Sequence, residues 1–180
     1  MSIEPIQIES TAPVRVDLSG GTVDIWPLYL FLNQPKTVNF GIDLFAKTWI
    51  HAQPATNPRV ILSSQDLGVE ETWAWEKVLS PKTEIRPELQ LPVRLLRHFS
   101  KEHPNPSSLE LRLSTKALSP AGAGLGGSSA LSISLIGALW KWVHPKEPLD
   151  LEVDGEYLIA LTRDVESQVL YGPAGLQDYY

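Results

Sequence analysis

Short stretches of alternating or β-branched residues recur along the chain, which is typical of strands with one buried face. They predict strands over residues 12–18, 37–52, 60–64, 71–75 and 109–113. In the first strand, Val14, Val16 and Leu18 are predicted to share the buried face. Arg15 and Asp17 then lie on the opposite face of the same strand.

Apolar residues spaced by three and four positions predict helices elsewhere. These helices cover residues 92–103, 128–144 and 154–170, and a short apolar segment at residues 24–32 is predicted to be helical with Pro27 in its first turn. Since the strands come first and then interleave with helices, we expect one α+β domain over residues 1–180, with a mixed sheet. Core packing is the expected role of most of the six tryptophans.

The composition of the chain argues against several classes of function. The chain has 180 residues, of which 43% are hydrophobic, and a net charge of −6, which argues against nucleic acid as the main partner. It contains no cysteine, and its four histidines show no metal-ligand spacing. No signal sequence and no stretch of membrane-spanning length is recognisable, so we expect a cytoplasmic protein.

The glycine-rich segment at residues 119–130 carries the strongest chemical signal. Gly122, Gly124, Gly126 and Gly127 stand directly before the predicted helix at residues 128–144. Glycine lets a backbone approach a ligand closely, and a helix N-terminus offers free N–H groups and a positive dipole end. The sequence therefore predicts a phosphate site, with a nucleotide or another phosphorylated molecule as ligand.

Two well-known phosphate loops fit this segment poorly. A Walker A loop needs a lysine where Ser128 stands. The Rossmann pattern is matched by Gly122, Gly124 and Gly127, but it should open directly from a strand and be followed by an acidic residue about 20 positions later. His144 stands near that position and cannot replace the acidic residue, and Glu147 lies beyond a proline. A capping turn without a ligand is the remaining alternative.

Three ordered segments resemble the GHMP kinases, the superfamily of galactokinase, homoserine kinase, mevalonate kinase and phosphomevalonate kinase. PAGAGLGGSSA at 120–130 resembles the nucleotide loop, and APVRVDLSGGTVD at 12–24 the N-terminal motif. Glu166, followed by Asp178 in the segment 166–178, resembles the catalytic segment. Gly21 and Thr22 stand where galactokinase-like members carry Glu-His, so the chain looks more like heptose-phosphate or fucokinase-type sugar kinases. The implied fold is the family's N-terminal ATP-binding domain, which is similar to domain 2 of ribosomal protein S5.

The resemblance implies a site for ATP and Mg²⁺. Ser128 and Glu166 would be the magnesium ligands, since Mg²⁺ prefers hard oxygen donors. A helix cap is a serious competing role for Ser128, and the two roles are compatible. Without the resemblance, Glu166 on a helix is by default a solvated surface residue. The ATP phosphates would be held by residues of the loop, namely Pro120, Gly122, Ala123, Gly124, Leu125, Gly126, Gly127, Ser128 and Ser129.

The resemblance also implies roles on the acceptor side. Asp178 would be the base or orienting group for the acceptor hydroxyl, and Arg15 would keep it ionised and stabilise charge on the phosphoryl group. Asp24 and Gly21 would bind the substrate, and Trp26 would stack on a sugar. Simple structural roles compete with these: Asp178 in a turn and Asp24 as a helix cap.

The implied activity is transfer of the γ-phosphoryl group of MgATP to a hydroxyl of a sugar or sugar phosphate. Family members continue into a C-terminal domain that is absent from this chain, so we expect either a fragment or a chain complemented by a separate C-terminal half. Two alternatives stay open. One is a non-catalytic nucleotide or sugar sensor of the same fold, and the other is a dinucleotide-binding oxidoreductase domain.

Overall fold

A five-stranded mixed sheet forms the centre of the computed structural model, which describes residues 4–119, 124–150, 152–175 and 177–179. The strands are β1 (Ile6–Ser19), β2 (Val38–Pro54), β3 (Arg59–Ser64), β4 (Val69–Trp73) and β5 (Leu109–Ala117). Their order across the sheet is β1-β2-β5-β3-β4, with β3 parallel to β5 and every other neighbouring pair antiparallel. The predicted α+β fold with a mixed sheet is confirmed.

The helices are α1 (Trp75–Leu79), α2 (Gln90–Phe99), α3 (Gly127–Val143) and α4 (Gly155–Leu170). Short 3-10 turns lie at Leu28–Phe31, Pro87–Leu89, Pro106–Ser108 and Gln177–Tyr179. Helix α3 packs on β1 and β2, and it also contacts α2 and α4. Its position explains its apolar sequence, because a helix covered on several sides must be hydrophobic around most of its surface.

The main core lies between the sheet and α2 and α3. Trp75 and Trp142 are fully buried there with stacked rings, and Trp73 is buried nearby. The buried indole N–H of Trp75 donates to the Leu109 carbonyl at 2.7 Å, so this large ring leaves no polar atom unpaired. These three tryptophans agree with the expected core role, whereas the Trp26 side chain is 61% exposed.

The first strand is longer and less regular than its pattern predicts. It begins at Ile6, six residues before the predicted start, and the register with β2 shifts twice, between Pro13 and Arg15 and between Asp17 and Ser19. These irregularities break the strict two-residue alternation of faces. Leu18 is 66% exposed as a result and does not share the buried face of Val14.

Two further local predictions were wrong. The apolar segment 24–32 contains only the 3-10 turn Leu28–Phe31, and no residue of that turn is buried. A short helix needs packing of an apolar face to be stable, and this segment has none within the described residues. The strand predicted at 71–75 ends at Trp73, and Trp75 begins α1, which the sequence pattern did not indicate.

Candidate active site

The described part of the glycine loop leads directly into α3. Gly124 and Gly126 adopt positive φ angles of 69° and 63°, a region that disfavours side chains with a Cβ atom. Gly126 is the N-cap residue, and no side chain among the described residues makes a capping hydrogen bond to the start of α3. The alternative in which Ser128 only caps its helix is therefore wrong. Pro120, Gly122 and Ala123 lie outside the described residues.

Arg15 on β1 contacts this loop. A methyl group at Gly126 would overlap the Arg15 guanidinium, so glycine is required for the two to lie this close. The backbone N–H of Arg15 donates to the Leu125 carbonyl at 3.2 Å, and its Nε donates to Asp17 Oδ1 at 3.2 Å. Asp17 in turn lies against Gly21. A positive charge is thus fixed beside the residue that caps α3, as expected for a group that stabilises a phosphoryl charge.

Glu166 on α4 points into the protein towards the first turns of α3. It is only 3% exposed and accepts three hydrogen bonds from described residues. Ser128 Oγ donates to Oε1 at 2.6 Å, while Ser132 Oγ and the Tyr179 hydroxyl donate to Oε2 at 3.3 and 2.8 Å. The interpretation of Glu166 as a solvated surface residue is wrong. Its closeness to Ser128 agrees with the metal pair that the resemblance implies.

The chemistry of this hydroxyl-lined carboxylate fits a magnesium ion. A buried carboxylate is costly unless its charge is compensated, and no ion pair to Glu166 is found among the described residues. Within those residues, no group of three or more acidic, histidine or cysteine side chains could hold a metal. One carboxylate and one serine hydroxyl still suit Mg²⁺, which commonly takes its other ligands from phosphates and water.

A second set of contacts joins the loop between β1 and the 3-10 turn Leu28–Phe31, called the N-terminal loop below, to the turn Gln177–Tyr179. The backbone N–H of Gln177 donates to Asp24 Oδ2 at 2.9 Å, and its side-chain Nε2 donates to the Gly21 carbonyl at 2.7 Å. Gly175 packs so closely on Asp24 that an added Cβ would lie 2.5 Å from Oδ2. Asp24 is therefore a partner of the turn, and the alternative that it caps a helix is wrong, because no helix begins there.

The two remaining acceptor-side predictions differ in outcome. Trp26 is close in sequence to Asp24 and keeps most of its ring surface accessible, so it is free of the core. The backbone of Asp178 belongs to the turn Gln177–Tyr179, but its side chain lies outside the described residues. The catalytic role of Asp178 stays a prediction, as does substrate contact by Asp24, Gly21 and Trp26.

Sequence reasoning missed Ser132, Gln177 and Tyr179. Ser132 lies one helical turn after Ser128, so the i, i+4 spacing could have placed both hydroxyls on the same face of α3. Gln177 and Tyr179 flank the predicted catalytic residue. Their contacts to Asp24 and Glu166 span 153 and 13 positions, and no local pattern indicates such pairings.

The family profile described as "GHMP kinases N terminal domain" matches residues 90–180 of the chain. The chain belongs to the GHMP kinase family. Its sequence is 28% identical over 174 residues to the D-glycero-alpha-D-manno-heptose 7-phosphate kinase of Campylobacter jejuni, covering 96% of the chain and 47% of that protein. The chain thus spans about half the length of this relative.

Solved structures of sugar kinases have the same fold. A D-glycero-D-manno-heptose 1-phosphate kinase from Bacteroides thetaiotaomicron superposes with a TM-score of 0.70 at 22% identity, covering 97% of the chain and 52% of its own. The Lactococcus lactis galactokinase, solved with galactose, gives a TM-score of 0.65 at 18% identity, covering 96% and 40%. None of the helices described is both long and apolar enough to cross a membrane.

Proposed function

We propose that this chain carries the nucleotide half of a kinase site that transfers the γ-phosphoryl group of MgATP to a hydroxyl of a sugar or sugar phosphate. The observation that carries the proposal is the buried carboxylate of Glu166, which contacts Ser128 at the first turn of a helix that begins at a glycine loop. This supports the proposal, because a buried negative charge beside the N-terminus of a helix suits a cation bound together with phosphate oxygens.

On the nucleotide side, the loop and α3 hold the phosphates. The first N–H groups of α3 have no partners within the helix, and no described side chain caps them. Backbone N–H groups between Gly124 and Ser129 would donate to phosphate oxygens. Ser128 Oγ and Glu166 Oε1 would hold Mg²⁺, which neutralises phosphate charge when it is bound.

On the acceptor side, the sugar hydroxyl attacks the γ-phosphorus atom and the bond to the ADP oxygen breaks. The hydroxyl proton passes to Asp178, and Arg15 stabilises the charge on the phosphoryl oxygens. Asp24, Gly21 and Trp26 contact the acceptor. Because the chain is similar to a heptose 7-phosphate kinase over nearly its whole length, a heptose phosphate is the first acceptor to test.

The wider assignments follow from the same proposal. The partner is a small sugar or sugar-phosphate molecule, and the acidic chain has neither a nucleic acid nor a membrane as its partner. The C-terminal domain of the family is supplied by the rest of a longer protein or by a separate C-terminal half. The site of action is the cytoplasm.

The proposal is tested by calorimetric titration of the chain with ATP, with and without Mg²⁺, and with NAD as the control ligand. Magnesium-dependent binding of ATP is expected, and Ser128→Ala should weaken it. Binding of NAD in preference to MgATP would replace the kinase by a dinucleotide-binding domain. Binding of MgATP and heptose phosphate with no ADP formed, even with the C-terminal half present, would indicate a sensor.

A further inference from the structure

The two oxygens of the Glu166 carboxylate have different partners. Among the described residues, Oε1 accepts from Ser128 Oγ alone, at 2.6 Å. Oε2 accepts from the Tyr179 hydroxyl at 2.8 Å and from Ser132 Oγ at 3.3 Å. One oxygen is therefore bonded to the loop side of α3, and the other is anchored in the protein interior.

We propose that Tyr179 is a positioning residue that sets Glu166 for the cation. The inference rests on the proposed function, because it concerns the cation that accompanies the nucleotide. The phenol fixes and stabilises the ionised Oε2, and this leaves Oε1 directed at Ser128. Hydrogen bonds to a ligating carboxylate orient it, and their loss commonly weakens metal binding.

The lengths and burial of these contacts favour the phenol over Ser132 as the main anchor. The Tyr179 contact is 0.5 Å shorter than the Ser132 contact (3.3 minus 2.8 Å), and charge-assisted hydrogen bonds strengthen as they shorten. Ser132 Oγ is also near the Ser128 carbonyl at 2.9 Å, so its hydrogen is shared between two acceptors. The Tyr179 side chain is almost fully buried, so water cannot readily replace its hydroxyl.

The same turn connects both sides of the site. Its first residue, Gln177, donates to Asp24 and Gly21 of the N-terminal loop, and its last residue, Tyr179, donates to Glu166. The backbone of Asp178 lies between these two anchors. A residue fixed from both ends is held in place more firmly than one on a free loop, so Tyr179 also restrains the position from which Asp178 acts.

The test compares Tyr179→Phe with wild type by calorimetric titration of ATP at several Mg²⁺ concentrations and without metal. Phenylalanine keeps the buried ring and removes only the donor. We expect affinity for MgATP to fall about tenfold and affinity for metal-free ATP to stay unchanged. Ser132→Ala should lower MgATP affinity by a smaller factor. Tyr157→Phe, which removes an exposed hydroxyl bonded to His98, is the matched control and should change neither value.

A double-mutant cycle shows whether Tyr179 acts through Glu166. In the Glu166→Gln background, Tyr179→Phe should have no further effect on MgATP affinity, because the oxygen that it orients is no longer a carboxylate. If Tyr179→Phe loses as much affinity for ATP without Mg²⁺ as with it, or if a folded Tyr179→Phe variant binds MgATP as wild type does, the inference is wrong. The proposed function would still stand in either case. If wild type shows no magnesium-dependent binding of ATP, the proposed function fails and the inference fails with it.

Discussion

The carboxylate of Glu166 is enclosed by three hydroxyl donors, whereas the segment from Trp26 to Leu32 leaves its large apolar side chains in solvent. The first region belongs to the nucleotide side of the proposed site and the second adjoins the acceptor side. The hydroxyl donors hold the Glu166 carboxylate in position for a cation, whereas an exposed aromatic ring can stack on a ligand that binds from solvent. Within the described residues, the nucleotide side of the proposed site is therefore more enclosed than its acceptor side.

The largest expected effect comes from removing the charge of the enclosed region. Glu166→Gln should lower affinity for MgATP at least about 100-fold, the upper end of what loss of a supporting hydrogen bond costs a metal site. Metal-free ATP should bind as before, because the loop N–H groups are untouched. Calorimetry at fixed ATP and varied Mg²⁺ measures both.

The matched control is Asp164→Asn on the same helix α4, where the carboxylate is 60% exposed and pairs with the neighbouring Arg163. It removes one carboxylate charge from the chain outside the cluster, and MgATP affinity should stay within about twofold of wild type because exposed charges are screened. Equal losses in both variants would mean that net charge, and not the enclosed carboxylate, governs binding.

The loop that precedes α3 gives the next effect. Gly126→Ala forces a Cβ into a residue with φ of 63° and into the Arg15 guanidinium. Gly68→Ala introduces the same methyl group at φ of 65° with nothing within 4 Å, so it carries the backbone cost alone. The guanidinium is the flexible end of a long side chain and can move aside, so we expect Gly126→Ala to lower the free energy of unfolding by only about 1 kcal/mol more than Gly68→Ala.

Urea unfolding of both variants measures this difference, and MgATP affinity should fall only in Gly126→Ala. Identical unfolding free energies would show that Arg15 moves aside without cost. If MgATP affinity is also unchanged in Gly126→Ala, the contact between Arg15 and the loop does not contribute to binding of the nucleotide.

The difference between the two regions also shows which structural features could be predicted from the sequence. Helix α3 followed from its periodicity, and the pairing of Ser128 with Glu166 followed from a family resemblance, since no local pattern links positions 38 apart. The strand start at Ile6 had a usable signal, because Ile6 and Ile8 alternate with polar residues. The segment 24–32 misled because apolar residues normally indicate burial, and here they remain exposed.

A change in the turn tests whether the two sides are coupled. Gly175→Ala would place a methyl group 2.5 Å from Asp24 Oδ2 and should break the hydrogen bond from the Gln177 N–H. We expect a loss of about 1–2 kcal/mol in the free energy of unfolding, because the bond joins a backbone donor to a carboxylate. Gly172→Ala is the control in the same segment, since its nearest neighbour would lie 4.0 Å away.

Ligand binding sharpens this test. Affinity for heptose phosphate should fall in Gly175→Ala and be retained in Gly172→Ala. If MgATP affinity falls in Gly175→Ala by the same factor as affinity for heptose phosphate, the turn couples the N-terminal loop to Glu166 and its hydroxyl donors. Unchanged MgATP affinity would mean that the two regions act independently.

The smallest effect on the fold is expected at Trp26. Its ring is 61% exposed, so Trp26→Ala should change the free energy of unfolding by no more than about 0.5 kcal/mol. Loss of an aromatic stacking surface should lower affinity for heptose phosphate about three- to tenfold, with MgATP binding unchanged. Phe31→Ala removes a ring that is 81% exposed on the same segment and serves as the matched control. Equal losses in the two variants would assign the effect to the whole apolar segment, and only a loss confined to Trp26→Ala would support stacking of the sugar on this ring.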